Sequence, residues 1–295
     1  MLHLVPLTID HKTVLDYHAQ MTKKNELTEA MQITGILALE DNYIWIITQG
    51  NTTLIIDPSE GSPIINWLEK ARRLPSAVLI THNHHDHIGG IAALQQHYDN
   101  LLVYAHQKTK LAFTTLPLVI DTHVKINDIE LQILDLSGHT PDQIGYYLPQ
   151  AKALFCGDAL FAGGCGRLFN GGTAAQMTAT LARIANLTAD THMYCAHEYT
   201  LANLRFAQIC EPNNHAIHER LQKTIVSRQQ GLATVPSLLC DELATNPFLR
   251  TETPALHQAI DAIAGFQTTY TIERFTQLRA WKDRLDATGI LEIAA

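Results

Sequence analysis

The stretch Thr81-His82-Asn83-His84-His85-Asp86-His87-Ile88-Gly89-Gly90 places four histidines and an aspartate within six residues. It follows the apolar run Ala77-Val78-Leu79-Ile80, bounded upstream by Pro75, which reads as a short buried strand. The cluster therefore sits where a strand ends and a loop turns toward a helix, the end at which open α/β sheets place their ligands. Imidazole and carboxylate are the usual ligands of zinc-like divalent ions. On extended backbone, residues two apart point to the same side, so His82 and His84 can converge on one ion. Asp86 and His87 come after the chain has begun to turn and face a second point. Gly89-Gly90 lets the backbone pass close to the site and start a helix over residues 91–98. An accidental His-rich surface loop would need neither the aspartate nor the buried strand before it.

The chain has 295 residues, 46% hydrophobic and 17% charged, a globular balance with material for a sizeable core. The net charge of -8, from 21 basic and 29 acidic residues, argues against nucleic acid or an anionic membrane as the main partner. An anionic substrate would need a local basic patch to overcome that field. The five cysteines form no CxxC pair and are odd in number, which speaks against a disulfide framework and for a reducing compartment. No secretory leader pattern and no apolar run long enough to span a membrane is found. A soluble, cytoplasmic, monomeric protein is the expectation.

Residues 1–30 are mixed and polar, carry no motif, and are set apart as an extension of unknown role. From there to residue 200, β-type runs alternate with amphipathic helical stretches. Strands are expected at 33–39, 43–48, 53–56, 77–80, 101–105, 144–148, 153–156 and 193–195, with a hairpin over 124–136 turning at Asn127-Asp128. Helices are expected at 63–73 and 174–184. Residues 201–295 change character and read as helices at 203–210, 215–230, 254–264 and 271–286. This divides the chain into 31–200, two sheets flanked by helices, and 201–295, a mainly helical second domain.

Three later loops each carry one candidate ligand directly after a β-type run: Ser137-Gly138-His139-Thr140-Pro141, Gly157-Asp158-Ala159 and Ala196-His197-Glu198. Singly, His139 and His197 also read as hydrogen-bonded loop or core residues, and Asp158 as a helix cap. Their shared placement makes them candidates for the same centre as the first cluster.

Taken in order, Thr81 to His87 resembles the THxHxDH signature of the metallo-β-lactamase superfamily. Within it the chain is similar to the glyoxalase II, or hydroxyacylglutathione hydrolase, family. The resemblance runs from about Ile33 to Arg284. It is carried by Gly157-Asp158-Ala159-Leu160-Phe161, Gly164-Cys165-Gly166-Arg167, Cys195-Ala196-His197-Glu198-Tyr199-Thr200, Asn203-Leu204-Arg205-Phe206-Ala207 and Asn246-Pro247-Phe248-Leu249-Arg250. The first motif specifies only the superfamily; the His-Glu-Tyr-Thr and Asn-Pro-Phe segments are more selective.

The resemblance implies an α/β fold, an αββα sandwich with a C-terminal helical, substrate-binding domain. It implies two divalent metal ions, zinc first, with iron or manganese also suited to His/Asp ligands lacking thiolate. His82, His84 and His139 would hold one ion, Asp86, His87 and His197 the other, and Asp158 both. The implied reaction is hydrolysis of a glutathione thioester such as S-lactoylglutathione by a metal-bridging hydroxide held near Asp86 and Asp158, in methylglyoxal detoxification. For the substrate it points to Arg167, Phe169, Tyr199, Arg279 and Lys282. On spacing alone, Arg279 and Lys282 also read as the solvated face of an amphipathic helix. Phe169 stands where tyrosine is common, and Ala159 where threonine or serine is frequent. Alternatives are a glutathione persulfide dioxygenase, another hydrolase of this fold, or a non-catalytic metal-binding protein on it.

Overall fold

The computed structural model describes residues 30–292; the expected extension, apart from Ala30, lies outside them. One sheet runs in the spatial order β1 (Gln32–Ala38), β2 (Asn42–Gln49), β3 (Thr52–Ile56), β4 (Ala77–Leu79), β5 (Val103–His106), β6 (Leu116–Leu118). Its first pairs are antiparallel and those from β3 onward are parallel. The parallel connections carry helices α1 (Gly61–Ala71), the single turn α2 (His85–Ile88) and α3 (Ile91–His97).

Alternation on these strands decides the layering. Tyr43, Trp45, Ile47, Leu54, Ile56 and Leu79 point into the core shared with the second sheet. Ile44, Ile55, Val78 and Ile80 point the other way, onto Ile64 and Leu68 of α1 and Ile91 and Leu94 of α3. Both faces are covered, so the strands read as nearly continuous apolar runs.

The second sheet holds β7 (His123–Ile126), β8 (Ile129–Asp135), β9 (Ile144–Leu148), β10 (Ala153–Gly157), β13 (His192–Cys195) and β14 (Ser237–Leu238), in the spatial order β14-β13-β10-β9-β8-β7. The β7–β8 hairpin turns at Asn127-Asp128 as expected, with Asn127 in the left-handed region. Helix α4 (Ala174–Ala185) begins at a capping box, Thr173 with Gln176. The small hairpin β11 (Leu160–Phe161) and β12 (Gly164–Cys165) follows β10.

After β13 come α5 (Thr200–Cys210), α6 (His215–Gln229), α7 (Leu239–Thr245), α8 (Pro254–Ala264) and α9 (Thr271–Asp286). The αββα architecture with a helical C-terminal part is as the sequence implies. Strands β6, β11, β12 and β14 escape a sequence reading because two or three residues show no period. Phe206, Phe248, Phe275 and Leu278 join the same core as the sandwich, so the helices are packed onto it rather than tethered. Among the described residues, no helix is long and apolar enough to cross a membrane.

Candidate metal centre and adjoining cavity

Four strand ends of the two sheets converge at one end of the sandwich. His82 and His84 follow β4, with Asp86 and His87 on α2; His139 follows β8, Asp158 follows β10 and His197 follows β13. Hydrogen bonds between the sheets set their relative position. Tyr146 Oη donates to the Ile80 carbonyl (2.6 Å), and Ile144 N donates to the Thr81 carbonyl (3.0 Å). On the far side, Tyr43 N donates to the Ala196 carbonyl (2.7 Å) and Glu198 N to that of Asp41 (2.9 Å). Gly157 brings the two sheets close at this end: its φ is +48°, and a Cβ there would lie 2.5 Å from Thr81 Oγ1. The Gly89-Gly90 pair starts helix α3 as expected, with Gly90 as its N-cap, but the close approach it allows is a different one. A Cβ on Gly90 would meet the backbone of Glu60 at 2.5 Å, so the close approach is to the loop after β3.

The seven side chains form three overlapping groups, His82/His84/His139, His82/His87/Asp158 and Asp86/His87/His197, whose donor atoms lie within 4.8 Å of one another in each. In the first group His84 Nδ1 is 3.0 Å from both His82 Nε2 and His139 Nε2. Asp158 reaches both sides: Oδ2 is 3.5 Å from His139 Nε2, and Oδ1 is 3.3 Å from His87 Nε2 and 3.4 Å from His197 Nε2. Asp86 Oδ2 is 3.4 Å from His197 Nε2.

The outward nitrogen of each ring is held by a partner that the sequence reading did not assign. Asp57 takes His87 Nδ1 (3.0 Å) and also accepts from Thr81 N (2.8 Å) and Thr81 Oγ1 (2.7 Å). Thr81 Oγ1 in turn is 3.0 Å from His82 Nδ1. Asp41 takes His197 Nδ1 (2.7 Å), the Arg167 carbonyl takes His139 Nδ1 (2.7 Å), and the Asn170 amide lies 3.2 Å from His84 Nε2. Such partners fix which nitrogen of each ring faces the centre. Asp57 is a buried aspartate at φ +51°, directly after a strand and before a proline. That backbone is uncommon for a residue other than glycine, but it belongs to the fold, and the sequence Ile56-Asp57-Pro58 does not mark the position.

These donors fit metal ions. His87 Nε2 and Asp158 Oδ1 are buried and, despite their proximity, lack the alignment for a hydrogen bond to any partner. Buried polar atoms are rarely left so, and a cation between them satisfies both. The three inward nitrogens of the first group would face one another lone pair to lone pair, an arrangement a shared cation resolves. Burial holds His82, His84 and His139 below the usual imidazole range, the neutral state that ligands need. Burial opposes ionisation of Asp158, but the adjacent His197 and His87 outweigh it and hold the carboxyl well below its usual range. Hydrogen bonding to His197 does the same for Asp86. Two ionised carboxylates among five imidazoles, all within one small cluster, suit a dinuclear metal site.

Asp158 also lines a cavity of about 380 Å³ that contains every expected substrate residue: Arg167, Phe169, Tyr199, Arg279 and Lys282. The solvated-face alternative for Arg279 and Lys282 is overturned, since they are only 4% and 6% exposed. Arg279 Nη1 donates to the Cys165 carbonyl (2.9 Å), and its guanidinium lies 5.1 Å from the Phe248 ring centre. Tyr199 stacks on His197 with ring centroids 4.7 Å apart, and burial pushes its hydroxyl up to about 12. Phe169 sets its ring edge-on to His84 and His139. The β11–β12 hairpin bounding the cavity is clamped from the helical part. Asn246 Nδ2 donates to the Gly164 carbonyl (3.0 Å), and Gly163 N donates to Glu242 (2.8 Å). Cys165 lines the cavity, yet burial raises its thiol to about 11, so it is not a thiolate; Cys156 is fully buried.

The chain matches the family models described as metallo-beta-lactamase superfamily over residues 39–197 and hydroxyacylglutathione hydrolase C-terminus over 198–285. It is 41% identical over 272 residues to a hydroxyacylglutathione hydrolase of Shewanella baltica, covering 86% of this chain and 99% of that protein. It is 42% identical over 255 residues to one of Nitrosomonas europaea, covering 86% and 96%. Among solved structures, the BLEG-1 B3 metallo-beta-lactamase shares the fold, with a TM-score of 0.58 and 21% identity, covering 74% of this chain and 99% of that one.

Proposed function

The chain belongs to the hydroxyacylglutathione hydrolase family of the metallo-β-lactamase superfamily, and from that premise we propose that it hydrolyses S-(2-hydroxyacyl)glutathione, S-lactoylglutathione foremost, to glutathione and a 2-hydroxy acid. The observation that carries this is one cavity joining the seven-donor centre, through Asp158, to three basic side chains. Arg167, Arg279 and Lys282 suit the carboxylates that glutathione presents.

His82, His84 and His139 would hold one divalent ion, Asp86, His87 and His197 the other, and Asp158 both. Zinc is our assignment, iron or manganese being compatible with the same donors. The ions supply Lewis acidity and a water acidic enough to act as nucleophile near neutral pH. The chain itself does the rest. Ionised Asp86 and Asp158 accept hydrogen bonds from a water held between them and orient it. Arg167, Arg279 and Lys282 hold the glutathione carboxylates, and the Tyr199 hydroxyl donates to the peptide. Phe161 and Phe169 line the cavity beside the metal end, Phe161 edge-on to His197 and Phe169 edge-on to His84 and His139. The leaving group is a thiolate, whose conjugate acid has a pKa of about 8.5, so it departs without a dedicated general acid. In this reading residues 31–200 are the catalytic unit and 201–295 the substrate-binding unit. The protein acts as a cytoplasmic monomer, in a compartment that keeps its free cysteines reduced.

The test is loss of thioester absorbance when purified protein meets S-lactoylglutathione, with and without chelator. Hydrolysis that chelator abolishes and metal restores is expected; no chelator-sensitive hydrolysis overturns the proposal. Metal analysis should find two ions per chain, and one would contradict the dinuclear assignment.

A further inference from the structure

The three basic side chains of the cavity already have carboxylate partners. Asp286 Oδ1 lies 2.8 Å from Lys282 Nζ, and its Oδ2 lies 3.2 Å from Arg167 Nη2 and 3.4 Å from Arg279 Nη2. Asp283 adds contacts to Arg279 Nη2 (2.9 Å) and Arg167 Nε (3.3 Å), from a more exposed position. One half-buried carboxylate, that of Asp286, thus spans all three cations expected to receive the substrate.

Helix stability does not account for this placement. Asp286 is the last residue of α9, where the helix dipole favours a base and disfavours an acid. The pairs Arg279–Asp283 and Lys282–Asp286 set the base four residues before the acid, the less favourable order on a helix. What does account for it is the burial of Arg279 and Lys282, since a buried cation without a counter-charge is strongly destabilising. Burial would raise the carboxyl of Asp286, but Lys282 and Arg167 beside it hold it below the usual range, so it is ionised at neutral pH.

We propose that Asp286 is a specificity-determining residue of this cavity, an internal carboxylate that holds the place of a ligand carboxylate until an anionic ligand displaces it. The inference rests on the thioesterase reading for the identity of that ligand. Asp286 keeps the buried cations paired in the free protein. It also sets a threshold, because a ligand must offer Lys282, Arg279 and Arg167 more than Asp286 does. Neutral thioesters do not, and a ligand with more than one carboxylate does.

The test compares wild type with Asp286→Asn, Asp286→Ser and the charge-conserving Asp286→Glu. Folding is checked by thermal melts, and affinity is read two ways: KM for S-lactoylglutathione, and the calorimetric Kd of a non-hydrolysable S-alkylglutathione. Removing the charge should lower both constants roughly three- to tenfold, the worth of a partly buried charge pair. The change should sit in KM rather than kcat, grow at low salt, and be absent in Asp286→Glu. Unchanged or raised KM and Kd in both the Asn and Ser variants would overturn the proposal, as would failure of both to fold, which would make Asp286 a structural support only. Wild type that binds the S-alkylglutathione but turns over no S-acylglutathione would sink the thioesterase reading alone, with Asp286 still judged by calorimetry.

Discussion

The metal end of the cavity and its basic end are built from different kinds of information. The metal end takes its seven donors from the ends of four strands of a sandwich whose layering follows from period-two alternation. The donors lie in the segments just after those strands, Asp86 and His87 on the turn α2, and four of the seven lie within six residues of sequence. The basic end takes Arg167 from the segment after β12 and Arg279 and Lys282 from α9, more than a hundred positions later. The metal end is locked by hydrogen bonds to Asp57, Asp41 and the Arg167 carbonyl, while the basic end is balanced by the exchangeable ion pairs of Asp283 and Asp286. Rigid preorganisation suits a centre that must hold charge in one geometry; replaceable partners suit a site that must admit and release a charged ligand.

The sharpest way to break this contrast is Asp158→Ala. Loss of the carboxylate common to both donor groups should lower turnover by about 10³-fold or more and reduce the bound metal, read by elemental analysis alongside kinetics. Full metal retention would mean that Asp158 bridges nothing. A smaller loss is expected from Asp57→Ala, which touches no substrate. Metal affinity should fall about 10- to 100-fold through His87, measured by chelator competition, with KM little changed. An effect on KM alone would place Asp57 in the wrong region.

On the basic side, Arg279→Ala should raise KM about tenfold while metal content stays at the wild-type value. An unchanged KM would return Arg279 to a packing role against Phe248. Tyr199→Phe tests the join between the regions. Because burial raises the Tyr199 hydroxyl to about 12, the folded protein keeps it protonated, and hence a donor, throughout pH 6–9; the proton is lost only as pH climbs toward that value. Its removal should raise KM about threefold, by the same factor at pH 6 and pH 9. A factor that shrinks at pH 9 would show a phenol already ionising. The smallest effect is expected from Phe169→Tyr, which restores a hydroxyl at the cavity wall. KM should drop by no more than about threefold, and a rise would show that the ring's packing on His84 and His139 matters more than the added donor.

Much of the architecture was legible because its causes are local. Nearly continuous apolar runs in β2 and β3 dictate two covered faces, Asn127-Asp128 dictates a tight turn, and Pro254 opens α8 where a missing N–H is harmless. The seven donors were legible because polar residues at strand ends have little structural reason to be histidine and aspartate. Illegible were Asp57 and Asp41, single acids that no motif marks, and Asn170, a single loop amide. Asp286 was hidden for a further reason: on a helical wheel it is an acid four residues after a lysine, indistinguishable from a solvated pair.

By itself, then, the chain's order of residues determined the sandwich, the candidate donors near strand ends and the family resemblance, because periodicity and turn chemistry act over a few residues. Tertiary structure alone decided that Arg279 and Lys282 are buried rather than solvated, that Asp57 and Asp41 aim His87 and His197, and that Asp286 meets Arg167. Burial and charge pairing depend on what the rest of the fold brings alongside a residue, and no local pattern encodes that distance.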